Sequence, residues 1–169
     1  MIPSELRIVT AFRSMAAFAN LDPLHIHKLA AIAAEKHFDE GQIIYRAGDR
    51  GDAVYLILEG EVAVEMGVEG FGSITLFSLG PGQLFGWSSM FPNRRKQAQA
   101  RVVRSTQLIA INASQLRALF RADHELERMV MDFMTQVIVD RVRGARLELA
   151  KTLAAEKKHN EEYFATVRH

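Results

Sequence analysis

The sequence contains no cysteine, which removes disulfides, thiolate metal centres and cysteine nucleophiles together. It has no charge excess of either sign. Its 21 Lys and Arg stand against 20 Asp and Glu, a net of +1, so a polyanion would have to be met by a local patch. No apolar run reaches the roughly 20 residues that cross a bilayer. Glu5, Arg7 and Arg13 interrupt the amino-terminal apolar stretches, so no signal peptide is read there. The expectation is a cytoplasmic protein without a membrane span.

What is present is ordinary for a globular chain. Hydrophobic residues make up 49% of 169 positions, enough for one domain with a substantial core. Residues 1–38 read as a helical segment, with Ile8, Phe12, Met15 and Phe18 at helical spacing. Asp22 and Pro23 then supply an N-cap and first position for a helix through Leu24, Leu29, Ile32 and Ala33. Such an amphipathic segment can lie on a membrane surface, but packing on its own domain or on a partner subunit is the simpler expectation.

Residues 39–111 change texture, to short β-rich runs between glycine-bearing turns. Ile43-Ile44-Tyr45, Val54 to Leu58, Val62-Ala63-Val64, Ile74 to Leu79, Ala98 to Val103 and Gln107 to Ile111 read as strands. Many short strands in succession predict a sandwich or barrel-like roll rather than alternating βαβ units. Asp49 and Asp52, beside Gly48 and Gly51, are read as turn formers rather than an acid/base pair. Residues 112–158 return to helix, with Asn112 and Asp123 as N-caps and an apolar stripe of Leu126, Met129, Val130, Phe133, Met134, Val137, Ile138 and Val142. Gly144 is its weak point, and residues 159–169 read as a loosely ordered tail.

None of His25, His27, His37, His124, His159 and His169 falls in the predicted roll. His25 and His27, two apart on a helix, face different directions. A cupin-type metalloenzyme, which needs imidazoles and carboxylates on strands, is therefore not expected. No serine nucleophile elbow and no Gly-x-x-x-x-Gly-Lys loop is present. No catalytic residue and no metal ligand is assigned.

The stretch Pro81 to Ala98 carries the functional signal. Two glycines and two prolines bracket small hydroxylated residues, and Arg94-Arg95-Lys96 arrive just before a strand. Hydroxyls and turn amides facing a cationic cluster are what a loop needs to hold an anion. The candidate ligand contacts are Phe85, Gly86, Trp87, Ser88, Ser89, Arg94, Arg95, Lys96, Gln97 and Ala98.

With Phe38-x-x-Gly41, Ile43-Ile44-Tyr45-Arg46-x-Gly48-Asp49-x-x-Asp52, Tyr55-Leu56-Ile57-x-x-Gly60-x-Val62 and Gly82-x-x-Phe85-Gly86, residues 20–145 resemble the cyclic-nucleotide-binding domain of catabolite-activator-type regulators, kinase regulatory subunits and gated channels. The resemblance implies a mainly β fold, a double-stranded β-helix or jelly roll, with amino-terminal helices and a long carboxy-terminal helix over the ligand pocket. In that family the cassette reads Phe-Gly-Glu, then small residues, then Arg-Ser/Thr-Ala. The glutamate holds the ribose and the arginine pairs with the cyclic phosphate. Here Trp87 stands for the glutamate and Lys96-Gln97-Ala98 for Arg-Ser-Ala, unless a loop shift brings in Arg94 or Arg95.

Losing the carboxylate removes a charge-assisted bond worth ~1.5–3 kcal/mol, and lysine supplies charge without the bidentate fork. Trp87 either stacks on a base or fills the pocket. Two functions follow. One is a non-enzymatic sensor of a small anion, with cyclic AMP and cyclic GMP as candidates. The other is a ligand-free adaptor that kept the fold. A helix-turn-helix follows the long helix in the regulators, but too few residues follow Lys158 here, so no direct DNA binding is expected. Arg141, Arg143, Arg146, Lys151, Lys157 and Lys158, diluted by Glu148, Glu156, Glu161 and Glu162, read as a solvated face. The breadth of the apolar stripe predicts a homodimer through this helix.

Overall fold

The computed structural model describes residues 4–167, which form two compact units, one ending at Met131 and the other beginning at Asp132. In the first unit, α1 (Ser4–Ser14) buries Ile8, Val9 and Phe12. Phe12 packs on Phe18 of a short 3-10 turn at 4.9 Å between ring centroids. Helix α2 (Pro23–Ala30) begins where its cap requires, with the Asp22 carboxylate accepting from Leu24 N at 2.7 Å. Helix α2 buries Ile26, Leu29 and Ala30, so both helices pack on their own unit as expected, with Leu6 and Leu24 left exposed.

The helical reading does not hold through residue 38. Ala33–Phe38 forms strand β1, antiparallel to β6 (Gln99–Asn112), from Ala33 opposite Ile111 to Phe38 opposite Thr106. Ala-Ala-Glu-Lys-His-Phe has no β-branched residue and good helix formers. The row of backbone donors and acceptors along β6 outweighs that local preference.

The remaining strands are β2 (Ile43–Tyr45), β3 (Ala53–Val68), β4 (Gly72–Leu79) and β5 (Leu84–Phe85). The antiparallel sheet runs β1-β6-β3-β4, with β2 also on β6 and β5 on β3. Two pairs of expected short strands are each one long strand, β3 and β6. The polar breaks at Glu59-Gly60 and Arg104-Ser105-Thr106 are register shifts within the ladder rather than turns. Such bulges bend and twist a strand pair, which lets strands of 16 and 14 residues curl into a β-roll. Its interior holds Tyr55, Ile57, Val62, Val64, Leu79, Phe85, Ala100, Leu108 and Ala110. Near one end of the ladder, Glu65 is buried and takes bonds from Arg101 Nε at 3.0 Å and Gln99 Nε2 at 2.9 Å. Those bonds, Arg101's first, hold its carboxyl below the usual range.

Asn112 caps α3 (Ala113–Ala122) by accepting from Gln115 N at 2.9 Å. Asp123 caps α4 (His124–Val167) by accepting from Leu126 N at 3.0 Å. The other Asp123 oxygen takes Lys28 Nζ and lies 3.3 Å from His25 Nε2. Lys28 first, then the cap bond, lowers the Asp123 carboxyl to about 2.

The second unit is the remainder of α4. It runs to Val167, so the expected tail from 159 is helical as far as the described residues reach. Pairs Lys157–Glu161 and Lys158–Glu162, at 4.0 and 3.9 Å, sit at the i,i+4 spacing that supports a solvent-exposed helix. No described helix is long and apolar enough to cross a membrane.

Candidate functional site

The stretch after Gly82 is built onto β3. Leu84 and Phe85 pair with Leu56 and Tyr55, and Phe85 stacks on Tyr55 at 5.1 Å inside the roll. The chain must then turn at once. Gly86 does so with φ 75°, and a Cβ there would lie 2.8 Å from Tyr55 Cδ2 and 3.2 Å from Ala53 O. Both the left-handed backbone and the close approach require glycine. A one-turn 3-10 helix, Trp87–Met90, follows, closed by Ser89 N donating to Gly86 O at 3.0 Å. Ser89 is 2% exposed and donates from Oγ to Ala53 O at 2.8 Å. Arg117, on α3, donates to Ser89 O at 2.7 Å and fixes the turn from its far side.

Lys96 closes the arrangement. The residue is 5% exposed. Its ammonium donates to Gly86 O at 2.9 Å, Ser89 Oγ at 2.8 Å and Ser88 Oγ at 3.1 Å. It also lies 4.5 Å from the centroid of the Tyr45 ring, a cation–π distance. Its backbone is anchored too, with Lys96 N donating to Asp49 O at 2.9 Å and Gly48 N donating to Lys96 O at 2.7 Å. Gly51 makes room, since a Cβ there would fall 2.1 Å from Ser89 Oγ and 2.8 Å from Lys96 Cε.

The electrostatics follow from this geometry. Burial pushes the Lys96 ammonium down to about 8, with Asp52 opposing the shift. All the direct acceptors are neutral. Among the described residues no carboxylate comes within ion-pair distance of this buried cation. Burial and the neighbouring Asp52 carboxylate, whose oxygen is 3.5 Å from the hydroxyl, push the Tyr55 phenol far up, so it stays neutral.

Of the candidates from the sequence, the structure brings Phe85, Gly86, Ser88, Ser89 and Lys96 into one cluster. Arg94 and Arg95 do not join it. Arg94 is exposed, and Arg95 is spent on Gly48 O at 2.8 Å. Gln97 is exposed as well, while Ala98 packs on the roll interior. Trp87 is half-buried and stands outside the roll's hydrophobic cluster.

Tyr45, Gly51, Asp52, Tyr55 and Arg117 belong to the same constellation but were not among the candidates. Period-two alternation in β3 puts Tyr55 on the face of Ile57, a usable signal. Nothing local ties Tyr45, Gly51 or Arg117 to Lys96. Among the described residues, no group of three His, Asp or Glu side chains is placed to hold a metal ion.

Comparison with known proteins agrees with this architecture. The chain is 27% identical over 134 residues to a protein of Rhodopseudomonas palustris described as a potassium channel, covering 79% of this chain and 31% of that one. It is 29% identical over 151 residues to the cyclic AMP receptor protein of Thermus thermophilus, covering 89% of this chain and 68% of that one. Among solved structures, a cyclic nucleotide-binding domain from Methylobacillus flagellatus superposes with a TM-score of 0.76 at 20% identity, over 88% of this chain and 83% of that one. The chain thus spans under a third of the channel's length. The model of the cyclic nucleotide-binding domain matches residues 35–123, a span that holds β2 to β6, most of β1 and the Gly86–Lys96 turn, and the chain belongs to that family.

Proposed function

We propose that this chain is a regulatory, non-catalytic binding domain whose roll takes a small anion of the cyclic-nucleotide class at the Gly86–Lys96 turn. One observation carries the reading: Lys96 is a buried cation without a counter-charge in contact. Burying an ammonium costs several kcal/mol even after relaxation, and neutral acceptors return only part of that. A phosphate oxygen would supply the missing charge, and the half-exposed Ser88 hydroxyl would add a donor. Lys96 thus takes the role the family gives to arginine, as a point charge rather than a fork. Trp87, beside the turn and outside the core cluster, is the candidate stacking surface for a base. In this reading the chain also forms a homodimer through α4, and ligand binding biases that contact. The name of the Thermus relative supports cyclic AMP as the first ligand to try.

A second reading has its own observation. The three N–H groups of Lys96 are matched by the three acceptors Gly86 O, Ser88 Oγ and Ser89 Oγ. A turn closed on its own lysine suits an adaptor that needs no ligand. Titration with cyclic AMP, cyclic GMP and inorganic phosphate separates the two. Trp87, the single tryptophan, reports on the turn, and a ligand at 100 times its Kd should stabilise the fold by ~2.7 kcal/mol. Saturable quenching with a matching thermal shift supports the sensor. No response at millimolar ligand leaves the adaptor.

A further inference from the structure

The outer rim of the turn gathers arginines that the fold leaves without acids. On β6, by contrast, Arg104 pairs with Glu61 at 3.1 Å and Arg101 with the buried Glu65. Arg46, Arg50, Arg94 and Arg95 are all exposed, and among the described residues none of them forms an ion pair. They come from two loops tied together by Lys96 N donating to Asp49 O, Gly48 N to Lys96 O and Arg95 Nη1 to Gly48 O. These bonds set Arg50 directly opposite Arg95 in an antiparallel bridge, so both side chains leave on the same face. Lys96, the next residue, turns the other way, into its buried cradle. Like charges directly opposite across a β pair repel. The nearby acids are engaged elsewhere: Asp49 Oδ2 accepts from Arg46 N at 2.8 Å, and Asp52 Oδ1 lies 3.5 Å from the Tyr55 hydroxyl. Four guanidinium groups against these two carboxylates leave two positive charges in excess, on a chain whose whole net charge is +1.

We propose that Arg46, Arg50, Arg94 and Arg95 form a second anion site, separate from the Lys96 cradle, for a small ligand that carries two linked phosphates. A guanidinium presents a planar fork of donors that matches a pair of phosphate oxygens. Arg95 spends one N–H on Gly48 O and keeps the rest of its five donors. Forks leaving the two bridge positions on one face can hold a phosphate between them, and that anion turns their repulsion into attraction. Arg46 and Arg94 supply the charge for a second phosphate, so four arginines match a diphosphate better than orthophosphate. Nucleic acid fits less well. It calls for a track of cations with stacking surface, whereas these cations are confined to two tied loops. Free pyrophosphate and a nucleoside diphosphate share the required chemistry.

Calorimetric titration of the full chain with pyrophosphate, ADP and orthophosphate tests the site. Pyrophosphate should bind once per chain and about tenfold or more tighter than orthophosphate. Arg50→Gln and Arg95→Gln should each weaken it by about tenfold or more, the loss expected of a charge-assisted contact. ADP binding at least as tightly as pyrophosphate assigns the site to a nucleotide, and ADP binding more weakly assigns it to the free diphosphate. No binding of either diphosphate at millimolar concentration, or equal affinity for orthophosphate, would overturn the proposal. Binding that survives both arginine substitutions and disappears in Lys96→Met would place the anion in the cradle and remove the second site. Tighter binding of a single-stranded oligonucleotide or of polyglutamate than of pyrophosphate would overturn the ligand class. A second measurement needs no ligand. Relieving the like-charge pair by Arg50→Gln should raise Tm by about 1–3 °C at low ionic strength, with the gain shrinking as salt is added. No rise at low salt would refute the repulsion on which the site rests.

Discussion

Replacing Lys96 by Met tests the electrostatics of the turn without requiring a ligand. The ammonium is depressed from its ordinary 10.5 to about 8, so between those values the unfolded chain binds a proton that the folded chain releases. Stability therefore rises with pH across that window. It is full above about 10.5 and is lost progressively as pH falls to about 8. Each tenfold change in proton affinity corresponds to about 1.4 kcal/mol. Allowing for screening, the charged lysine costs the fold about 2 kcal/mol at pH 7. Methionine has similar length and no charge to desolvate. The acceptors it abandons are not stranded, because Gly86 O still receives Ser89 N and Ser89 Oγ still donates to Ala53 O.

Lys96→Met should hold or gain stability at pH 7, by up to about 2 kcal/mol. That is a rise of several degrees in Tm, at about 2–4 °C per kcal/mol for a chain of this size. The gain should vanish near pH 10.5. Urea denaturation followed by Trp87 fluorescence at several pH values between 7 and 10.5 gives the two profiles. A variant that loses several kcal/mol at pH 7, with a profile parallel to the parent's, would refute the reasoning. It would mean the ammonium is a net stabilising element rather than a buried charge awaiting a partner.

Three further outcomes are expected. Gly86→Ala forces a side chain into φ 75° and to 2.8 Å from Tyr55; a loss of about 2–3 kcal/mol should appear as a lowered urea midpoint, and an unchanged midpoint would contradict the turn geometry. If Lys96 meets the ligand's phosphate, affinity should fall by up to about tenfold per pH unit above 8 in the parent and stay level in Lys96→Arg, whose guanidinium keeps its proton; a level parent profile in calorimetric titration would remove Lys96 from the contact. For Asp123, whose folded carboxyl is lowered to about 2, the contribution is complete above about pH 4 and disappears as pH falls through 2. Asp123→Asn, which can still cap α4, should be less stable than the parent at pH 7 and converge with it near pH 2 in acid-titration circular dichroism.

Local chemistry was legible in the residues themselves. Asp22-Pro23, Asn112 and Asp123 start helices because each puts an acceptor oxygen where an unpaired helical N–H needs one, and all three do so in the fold. The glycines around Phe85 marked the turn, and the shared pattern of turns marked the family. Apolar runs marked most strand positions, though not the continuity of β3 and β6. Continuity depends on bulges, which are properties of a strand pair and not of either strand alone.

Beyond that, long-range contact decided. Ala33–Phe38 is a strand only because β6 lies beside it, against its own propensity. Of three cations in a row, the family pattern set Lys96 at the arginine position and left Arg94 and Arg95 as loop-shift alternatives. The fold gave one to solvent, one to a backbone carbonyl and one to a buried cradle of Gly86, Ser88, Ser89 and Tyr45. That cradle joins residues far apart in the chain, and burial rather than charge count determines what its lysine can do. The sequence by itself determined which segments could turn, cap and bury. Only the tertiary structure decided which cation left water, because its desolvation is set by the Gly86–Ser89 turn and Tyr45, which the fold brings around it.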